Sequence, residues 1–347
     1  MNKLTAFFLL LLRLAIGWHF AAEGYHKLKG YWEGPTEGVI GKPNKPFTSA
    51  GYFREGAGPL AGYIRKEIGD PDEEALALLT PAPPKRVPPR LAQEWGDYVH
   101  GFSDYYGFNE DQRQKADHAL KVAEDAVADW LTRSQANDKN YQAATQEGRL
   151  PVPVRLEQYK RKREELTEPK HSHLVSIGSD AESVRLHNIK ADVVRLRVGL
   201  LNDLKEYTQD LQKELEKIPT PQQRQEAESK GKPPQPQPPA PESVKQKWID
   251  RITMYGLTIV GACLILGMFT RLSCLLAAGF LVMTYLINPP FPWLPLPPNN
   301  EGYYLFINKN VIEALALLAL ATTASGRWLG LDALVHWMLF GNRRPVS

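Results

Sequence analysis

Residues 252–287 read ITMYGLTIVGACLILGMFTRLSCLLAAGFLVMTYLI and constrain the architecture more than any other part of the chain. They predict two apolar helices, at about 252–269 and 272–287, separated only by Thr270 and Arg271. About 20 helical residues cross a bilayer core of about 30 Å, so each helix approaches spanning length. Because the joint is so short, the stretch predicts an antiparallel transmembrane hairpin.

Two other apolar segments complete a predicted bundle of four transmembrane helices. The first, at about 4–25, reads LTAFFLLLLRLAIGWHFAAEGY, and the last, at about 308–324, reads NKNVIEALALLALATTA. Residues 325–341 follow and predict a shorter helix at the membrane interface. An apolar run after Lys3 can also be a secretory signal peptide, but this one continues to spanning length without a clean A-x-A cleavage site.

A long polar region separates the first two membrane segments and gives the chain a mean hydropathy of −0.36. Within it, apolar side chains recur every three or four residues, which predicts amphipathic helices that bury against one another. The stripes are Leu91, Trp95, Val99 and Phe102; Ala116, Leu120, Ala123, Val127 and Trp130; Leu156, Tyr159 and Leu166; and Ile189, Val193, Leu196, Leu200, Leu204, Tyr207, Leu211 and Leu215. Asn109 and Gln112 predict a helix cap before the second stripe. The last stripe begins near Asp180, and its length predicts a coiled-coil hairpin.

The predicted fold class is therefore all-α, a four-helix transmembrane bundle with a large helical extracytoplasmic insert of coiled-coil-like helices. The predicted domains are the first transmembrane helix at 1–28, the insert at 29–227, a Pro-rich linker at 228–248, and transmembrane helices two to four with the interfacial helix at 249–347. The prolines of 81–89 and 228–243 predict extended spacers, and the second can alternatively dock in an aromatic groove of a partner.

The short loops predict the orientation, because Lys and Arg near membrane ends stay cytoplasmic. Lys3, Arg271, Arg327, Arg343 and Arg344 fall on one side if both termini are cytoplasmic. The loop before the fourth helix has no Lys or Arg at 288–308, as expected of an outward loop. The insert is then extracytoplasmic.

Composition excludes several classes of protein and site. The net charge is +3, from 42 basic and 39 acidic residues, so the overall charge does not indicate that the protein binds nucleic acid. Two cysteines exclude a disulfide scaffold, a four-thiolate zinc site and an iron–sulfur cluster held by this chain's cysteines alone. Cys263 and Cys274 lack C-x-x-C spacing, so we expect buried apolar residues rather than a disulfide-forming pair. No metal site is predicted.

Polar side chains within apolar helices are costly and therefore mark a candidate site. The candidates for binding a cofactor are Arg13, His19, Glu23, Lys27, Asn310 and Glu313. Acids and bases from different helices could pair, bind a polar headgroup or relay protons. Alternatively, Glu23, His26 and Lys27 form an interfacial collar of side chains that reach for water. We expect Arg13 to pair with Glu313, with His19 or Glu23 as the substitute partner of Glu313.

Three blocks of sequence carry motifs that occur together in one known family. They are RLAIGWHFAAEGYHKL at 13–28, GACLILGMFTRLSCLLAAGFLVMTYL at 261–286 and NKNVIEALALLALATTASGRWLGLDAL at 308–334. Their motifs are an Arg followed by Gly and a terminal G-x-x-K-L, then LG-x-x-T-R, then G-R-x-x-x-L-D. In these blocks the chain resembles the DoxX family of small four-helix bacterial membrane proteins. The matching positions are Arg13, Gly17, Gly24, Lys27, Arg271, Arg327 and Asp332.

The resemblance implies a multi-pass protein of the bacterial inner membrane that is linked to membrane redox complexes, because relatives include subunits of a thiosulfate:quinone oxidoreductase. Members of the family usually join their first two helices by a short loop, so the insert's function is not inherited.

Two hypotheses of function remain open. The first is an accessory subunit of a redox complex that binds quinone or a lipid headgroup near Arg13 and Glu313, an oxidoreductase subunit without its own redox centre. The second is a non-catalytic membrane anchor or assembly protein whose insert contacts extracytoplasmic protein partners.

Overall fold

The structure is a computed structural model that describes residues 2–32, 47–82, 86–132, 150–167, 180–229, 235–239, 244–296 and 305–340. All regular secondary structure in these ranges is helical, which confirms the all-α class for the described residues. The helices are α1 (Lys3–Trp32), α2 (Ala50–Phe53), α3 (Ala61–Ile68), α4 (Pro71–Leu79), α5 (Pro89–Tyr106), α6 (Glu110–Thr132), α7 (Val152–Thr167), α8 (Asp180–Glu216), α9 (Pro221–Ser229), α10 (Val244–Leu266), α11 (Thr270–Ile287), α12 (Lys309–Ala321), α13 (Ser325–Trp328) and α14 (Leu331–Phe340).

The chain divides into two compact units. The membrane unit comprises Met1–Gly69, His173–Ser183 and Glu242–Ser347, and the helical unit comprises Asp70–Ser172 and Val184–Pro241. The sequence placed the first boundary after residue 28, whereas the membrane unit extends to Gly69. The physical reason is a small apolar cluster in which Phe53 and Ile68 pack with Ile287. The sequence of residues 47–69 does not predict that packing.

Three helices of the described residues, α1, α10 and α11, are long and apolar enough to cross a membrane. Their exposed faces carry large apolar side chains, as lipid-facing surfaces do. Phe8, Ile259 and Leu272 are examples, each more than half exposed. The chain is therefore an integral membrane protein.

The fourth predicted crossing is not established by the described residues. Helix α12 contains 13 residues, which is about 20 Å of rise at about 1.5 Å per residue and falls short of a bilayer core. It nevertheless packs beside α11 in one core, in which Ala314, Leu317 and Leu320 are buried. The predicted shorter helix after it is present as α13 and α14.

Helices α1 and α10 pack closely through glycines. A Cβ atom at Gly24 would lie 2.5 Å from the backbone nitrogen of Thr258, and one at Gly261 would lie 2.7 Å from the carbonyl oxygen of Gly17. Both distances are shorter than carbon contacts permit. Without a hydrophobic effect between helices in lipid, such close packing is a main source of their attraction. The glycines of the first block therefore have a packing role.

The helical unit has its own apolar core, formed by the predicted stripes. Leu200 and Val127 are fully buried, as predicted, and Trp130 lies 5.5 Å from Tyr207 between ring centroids. The cap before α6 is also confirmed, because Gln112 N donates to Asn109 Oδ1 (2.9 Å) and Asn109 N donates to Gln112 Oε1 (3.1 Å).

One polar network lies against this core. Tyr159 Oη donates to Asp72 Oδ1, and Arg197 Nη1 donates to the same oxygen, each at 2.6 Å. Burial raises the pKa of the Tyr159 phenol, and its hydrogen bond to Asp72 raises it further. The network satisfies the buried guanidinium of Arg197, whose side chain is 6% exposed.

The spacers are described only in part. Residues 83–85, 230–234 and 240–243 lie outside the described residues. The piece at 235–239 has no regular secondary structure, in agreement with its prolines. At the end of the first spacer, Pro89 is the first residue of α5, a position where the missing N–H of proline costs nothing.

Candidate functional site

The polar residues of the membrane helices form separate groups rather than one site. Arg13 lies at a chain crossing, His19 pairs with Glu313, Glu23 pairs with Lys27, and Asn310 contacts a third helix. Their surroundings differ, and so does their chemistry.

Arg13 is almost completely buried and binds backbone oxygens. Its Nη1 donates to the carbonyl oxygen of Ser325 and its Nη2 to that of Leu329, each at 2.7 Å. Those oxygens belong to α13 and to the residue after it, and a helix of one turn cannot satisfy its own last carbonyls. Arg13 and Ser325 are buried within the protein, so the Ser325 carbonyl oxygen needs an internal partner and Arg13 has a structural task.

Asp332 stabilises the neighbouring turn between α10 and α11. Its carboxylate accepts from Phe269 N (2.7 Å) and Thr270 N (2.9 Å), and its own N–H donates to Gly267 O (2.8 Å). Phe269 and Gly267 both have positive φ angles, of 48° and 63°. The carboxylate thereby supplies the acceptor that the start of α11 requires, and its charge suits that end of the helix.

Each of the three blocks contributes residues to this crossing. We name it the turn cluster, which consists of Arg13, Gly267, Thr270, Ser325, Gly326, Leu329 and Asp332. A Cβ atom at Gly326 would overlap Thr270 Oγ1 and Asp332 Oδ2, which explains the glycine. The resemblance in sequence marks Arg13 and Asp332 as pattern positions, but it does not predict that they serve one turn.

The predicted pair of Arg13 and Glu313 is wrong. Arg13 donates to carbonyl oxygens beyond the end of α12. Glu313 lies about 12 Å of helical rise before Ala321, the last residue of that helix, at about 1.5 Å per residue. The two side chains therefore lie at different depths in the bundle. The substitute partner His19 is confirmed, because it lies about 9 Å further along α1 from Arg13 and pairs with Glu313.

His19 and Glu313 form a polar pair between α1 and α12. His19 Nδ1 lies 2.9 Å from Glu313 Oε1, and the side chains are 50% and 14% exposed. The pair lines a groove of about 400 Å³. The remaining groove walls are Leu12, Ala15, Ile16, Lys309, Ile312 and Ala316. An imidazole held by a carboxylate in a largely apolar groove can accept or donate a proton at its other ring nitrogen.

Glu23 and Lys27 pair with each other one helical turn apart, away from that groove. Lys27 Nζ contacts Glu23 Oε2, and the Glu23 side chain is 52% exposed. Lys27 Nζ also lies 5.6 Å from the ring centroid of Phe47. This arrangement agrees with the alternative of an interfacial collar, because paired and exposed side chains near a helix end need no ligand.

Asn310 lies at the start of α12, near Glu313 but outside the groove lining. Its Nδ2 is 3.5 Å from Thr284 Oγ1 on α11, and its N–H donates to Asn308 Oδ1 (3.1 Å). Asn308 caps α12 by accepting from Asn310 N and Val311 N. Asn310 therefore joins two helices, and the structure gives it no contact with the pair.

A buried polar group on α10 was missed by sequence reasoning. Asp250 Oδ1 accepts from Ser49 N (2.7 Å) and from Gln246 Nε2 (2.8 Å). Ser49 comes from the segment 47–69, which the sequence assigned to the insert. The spacing of Gln246 and Asp250 could have suggested one helix face, but nothing marked Ser49 as their partner.

The cysteines and metal ligands offer no further chemistry in the described ranges. Cys274 is buried, Cys263 is half-buried, and both are free thiols. No cluster of His, Cys, Asp and Glu suited to a metal ion occurs among the residues described.

The groove with His19 and Glu313 is thus the candidate site for a ligand that exchanges hydrogen bonds with the membrane unit. Comparison with known proteins adds no assignment: no protein-family model, no curated protein and no solved structure matches the chain.

Proposed function

We propose that this integral membrane protein is a DoxX-like, quinone-interacting accessory subunit of a membrane redox complex. The turn cluster supports the family proposal, because Arg13 and Asp332, two of the matching positions, serve one connected structure. The fourth crossing through α12 is part of this proposal. So are the bacterial inner membrane, the cytoplasmic termini and the extracytoplasmic insert.

The observation that carries the ligand proposal is the His19–Glu313 pair in its groove. With Glu313 as a carboxylate, the contact requires the Nδ1–H tautomer of His19, which leaves Nε2 to accept a proton from a quinol hydroxyl. When the imidazole is protonated, Nε2–H donates to a quinone carbonyl oxygen. The apolar groove walls suit the ring of such a ligand. The chain supplies proton contacts, and a partner of the complex accepts the electrons released by a quinol or supplies those taken up by a quinone.

Arg13, Glu23, Lys27 and Asn310 are removed from the proposed ligand site. Arg13 is engaged by two carbonyl oxygens, and the Glu23–Lys27 pair lies outside the groove. The site therefore narrows from six candidate residues to His19 and Glu313, with Lys309 at the groove edge.

A titration of the full chain in lipid nanodiscs with a short-chain benzoquinone tests this proposal. Glu313→Gln and His19→Gln should each weaken binding about tenfold, which corresponds to about 1.4 kcal/mol. The matched control is Glu23→Gln, which makes the same change on an exposed carboxylate outside the groove and should bind as the wild type does. Equal affinity in all variants would contradict the assignment.

The second candidate function is a membrane anchor that presents the helical unit to extracytoplasmic proteins. The observation that favours it is the unit's separate core, formed by side chains of α4 to α8. The two candidates differ in their requirement for the groove, because an anchor retains its partner contacts when Glu313 is replaced. Crosslinking of partners in intact cells, compared between the wild type and Glu313→Gln, separates them.

A further inference from the structure

A second cavity lies elsewhere in the membrane unit, between α10 and α11 and beneath the short helices α2 and α3. Its volume is about 350 Å³. Its lining side chains are apolar except for Thr253, and they include Phe20, Phe53, Ile64 and Phe280. A buried water needs two to four polar partners, so this lining suits an apolar occupant and not water.

Residues 47–69, which we call the docked segment, form the roof of this cavity. Gly58 N donates to Ile287 O (2.8 Å) and Leu60 N to Leu286 O (3.2 Å), so the segment caps the last carbonyls of α11. Tyr52 Oη adds a hydrogen bond to Thr284 O (3.1 Å). These bonds fix α2 and α3, from which Phe53 and Ile64 face the cavity.

The open side of the cavity is continuous with the lipid-facing surface. Ile252 on α10 and Leu276 on α11 line it, and they are 67% and 56% exposed. Both helices are long and apolar enough to span a membrane, so the molecules next to this opening are lipid chains.

Small residues create the space. Gly256 and Ala277 line the cavity from α10 and α11, and a Cβ atom at Gly256 would meet no other atom within 4 Å. A larger apolar residue at either position would be expected in a core that packs only against itself. Here the space is kept open toward the lipid.

We propose that one acyl chain of a membrane phospholipid occupies this cavity and lies beneath the roof of Phe53 and Ile64. The acyl chain contacts apolar side chains of the three spanning helices α1, α10 and α11. Bound there, it completes the packing between the docked segment and the helices. This inference does not depend on the proposed quinone site, which lies in a different groove.

Photolabelling of the full chain in vesicles tests the proposal. The vesicles contain phosphatidylethanolamine and phosphatidylglycerol with a small fraction of a phospholipid that carries a diazirine near the end of one acyl chain. After illumination, labelled residues are located by mass spectrometry. We expect label on Phe53 or Ile64 of the roof in addition to Leu315, an exposed residue of α12 that serves as the reference for ordinary lipid contact.

Gly256→Leu fills the cavity and should lower roof labelling several-fold while labelling at Leu315 is unchanged. Gly279→Leu is the matched control, because Gly279 is exposed on α11 with open space around it and does not line the cavity. Ile252→Trp narrows the opening and is the second variant if Gly256→Leu fails to fold. It should lower roof labelling in the same way.

Three outcomes would overturn the proposal. Label at Leu315 without label on the roof would mean that lipid does not enter the cavity. Roof labelling that persists in both variants would mean that the label arrives by another route. Displacement of roof label by an excess of long-chain quinone, with Leu315 unaffected, would assign the cavity to an isoprenoid tail instead of an acyl chain.

Discussion

Arg13 and Asp332 stabilise the same chain crossing from opposite directions. Arg13 donates to carbonyl oxygens that follow α12, and Asp332 accepts from the N–H groups that begin α11. One side chain satisfies free acceptors and the other satisfies free donors. Arg13 and Ser325 are buried, so the Ser325 carbonyl oxygen depends on this donor, and Asp332 fixes the main chain at the start of α11.

Replacement of Arg13 by Met should destabilise the protein by about 2–4 kcal/mol, because the carbonyls of Ser325 and Leu329 would lose their donors and that of Ser325 is buried. Thermal unfolding in detergent measures the effect. The control is Arg327→Met, since Arg327 is exposed two residues after Ser325. Equal melting of the two variants would show that Arg13 is not needed by the crossing.

A double-mutant cycle distinguishes the observed partner of Glu313 from the one expected from sequence. His19→Gln and Glu313→Gln should be coupled by about 0.5–3 kcal/mol in unfolding, because the two side chains are in contact. Arg13→Met and Glu313→Gln should be additive, because they lie at different depths. Coupling between Arg13 and Glu313, without coupling between His19 and Glu313, would support the pair expected from sequence and contradict the observed one.

Much of the fold follows from local patterns. The stripe of Val193, Leu200 and Leu211 repeats at helical spacing, and the structure buries each of these residues. The hairpin at Thr270 likewise follows from an apolar run broken by two polar residues. Such features depend on nearby residues, which a single sequence shows directly.

The partners of the polar residues could not be predicted in the same way. Arg13 binds backbone oxygens of Ser325 and Leu329, and no side-chain pattern marks a free carbonyl. The docking of Ser49 on Asp250 joins residues far apart in the chain. Opposite charge predicted Glu313 as the partner of Arg13. The two side chains lie at different depths in the bundle and therefore have different partners.

The core of the helical unit should be sensitive at Leu200. Leu200→Asp places an unpaired charge in a fully buried position of α8 and should cost several kcal/mol. The matched control is Val198→Asp on the same helix, because Val198 is 46% exposed. Hydrogen exchange of the full chain would show faster opening of α8 in the first variant only. Equal protection in both would mean that Leu200 does not carry the packing.

The proposed topology predicts which sites a membrane-impermeant thiol reagent reaches. In a chain with Cys263 and Cys274 replaced by Ala, a cysteine at exposed Lys121 should react from outside intact cells, because the insert is extracytoplasmic. A cysteine at exposed Arg327 should react only after the membrane is opened. Arg343 and Arg344, which support the same orientation, lie outside the described residues. Labelling at position 327 from outside, with labelling at position 121 only after the membrane is opened, would mean that the insert is cytoplasmic.

We propose that the membrane unit holds quinone at His19 and Glu313. The most direct measurement is the amount of quinone extracted from the full chain after purification from native membranes. The account predicts a stoichiometric amount in the wild type and in Glu23→Gln, and a loss of most of it in Glu313→Gln. Absence of quinone from the wild type, or equal amounts in the wild type and Glu313→Gln, would contradict the claim.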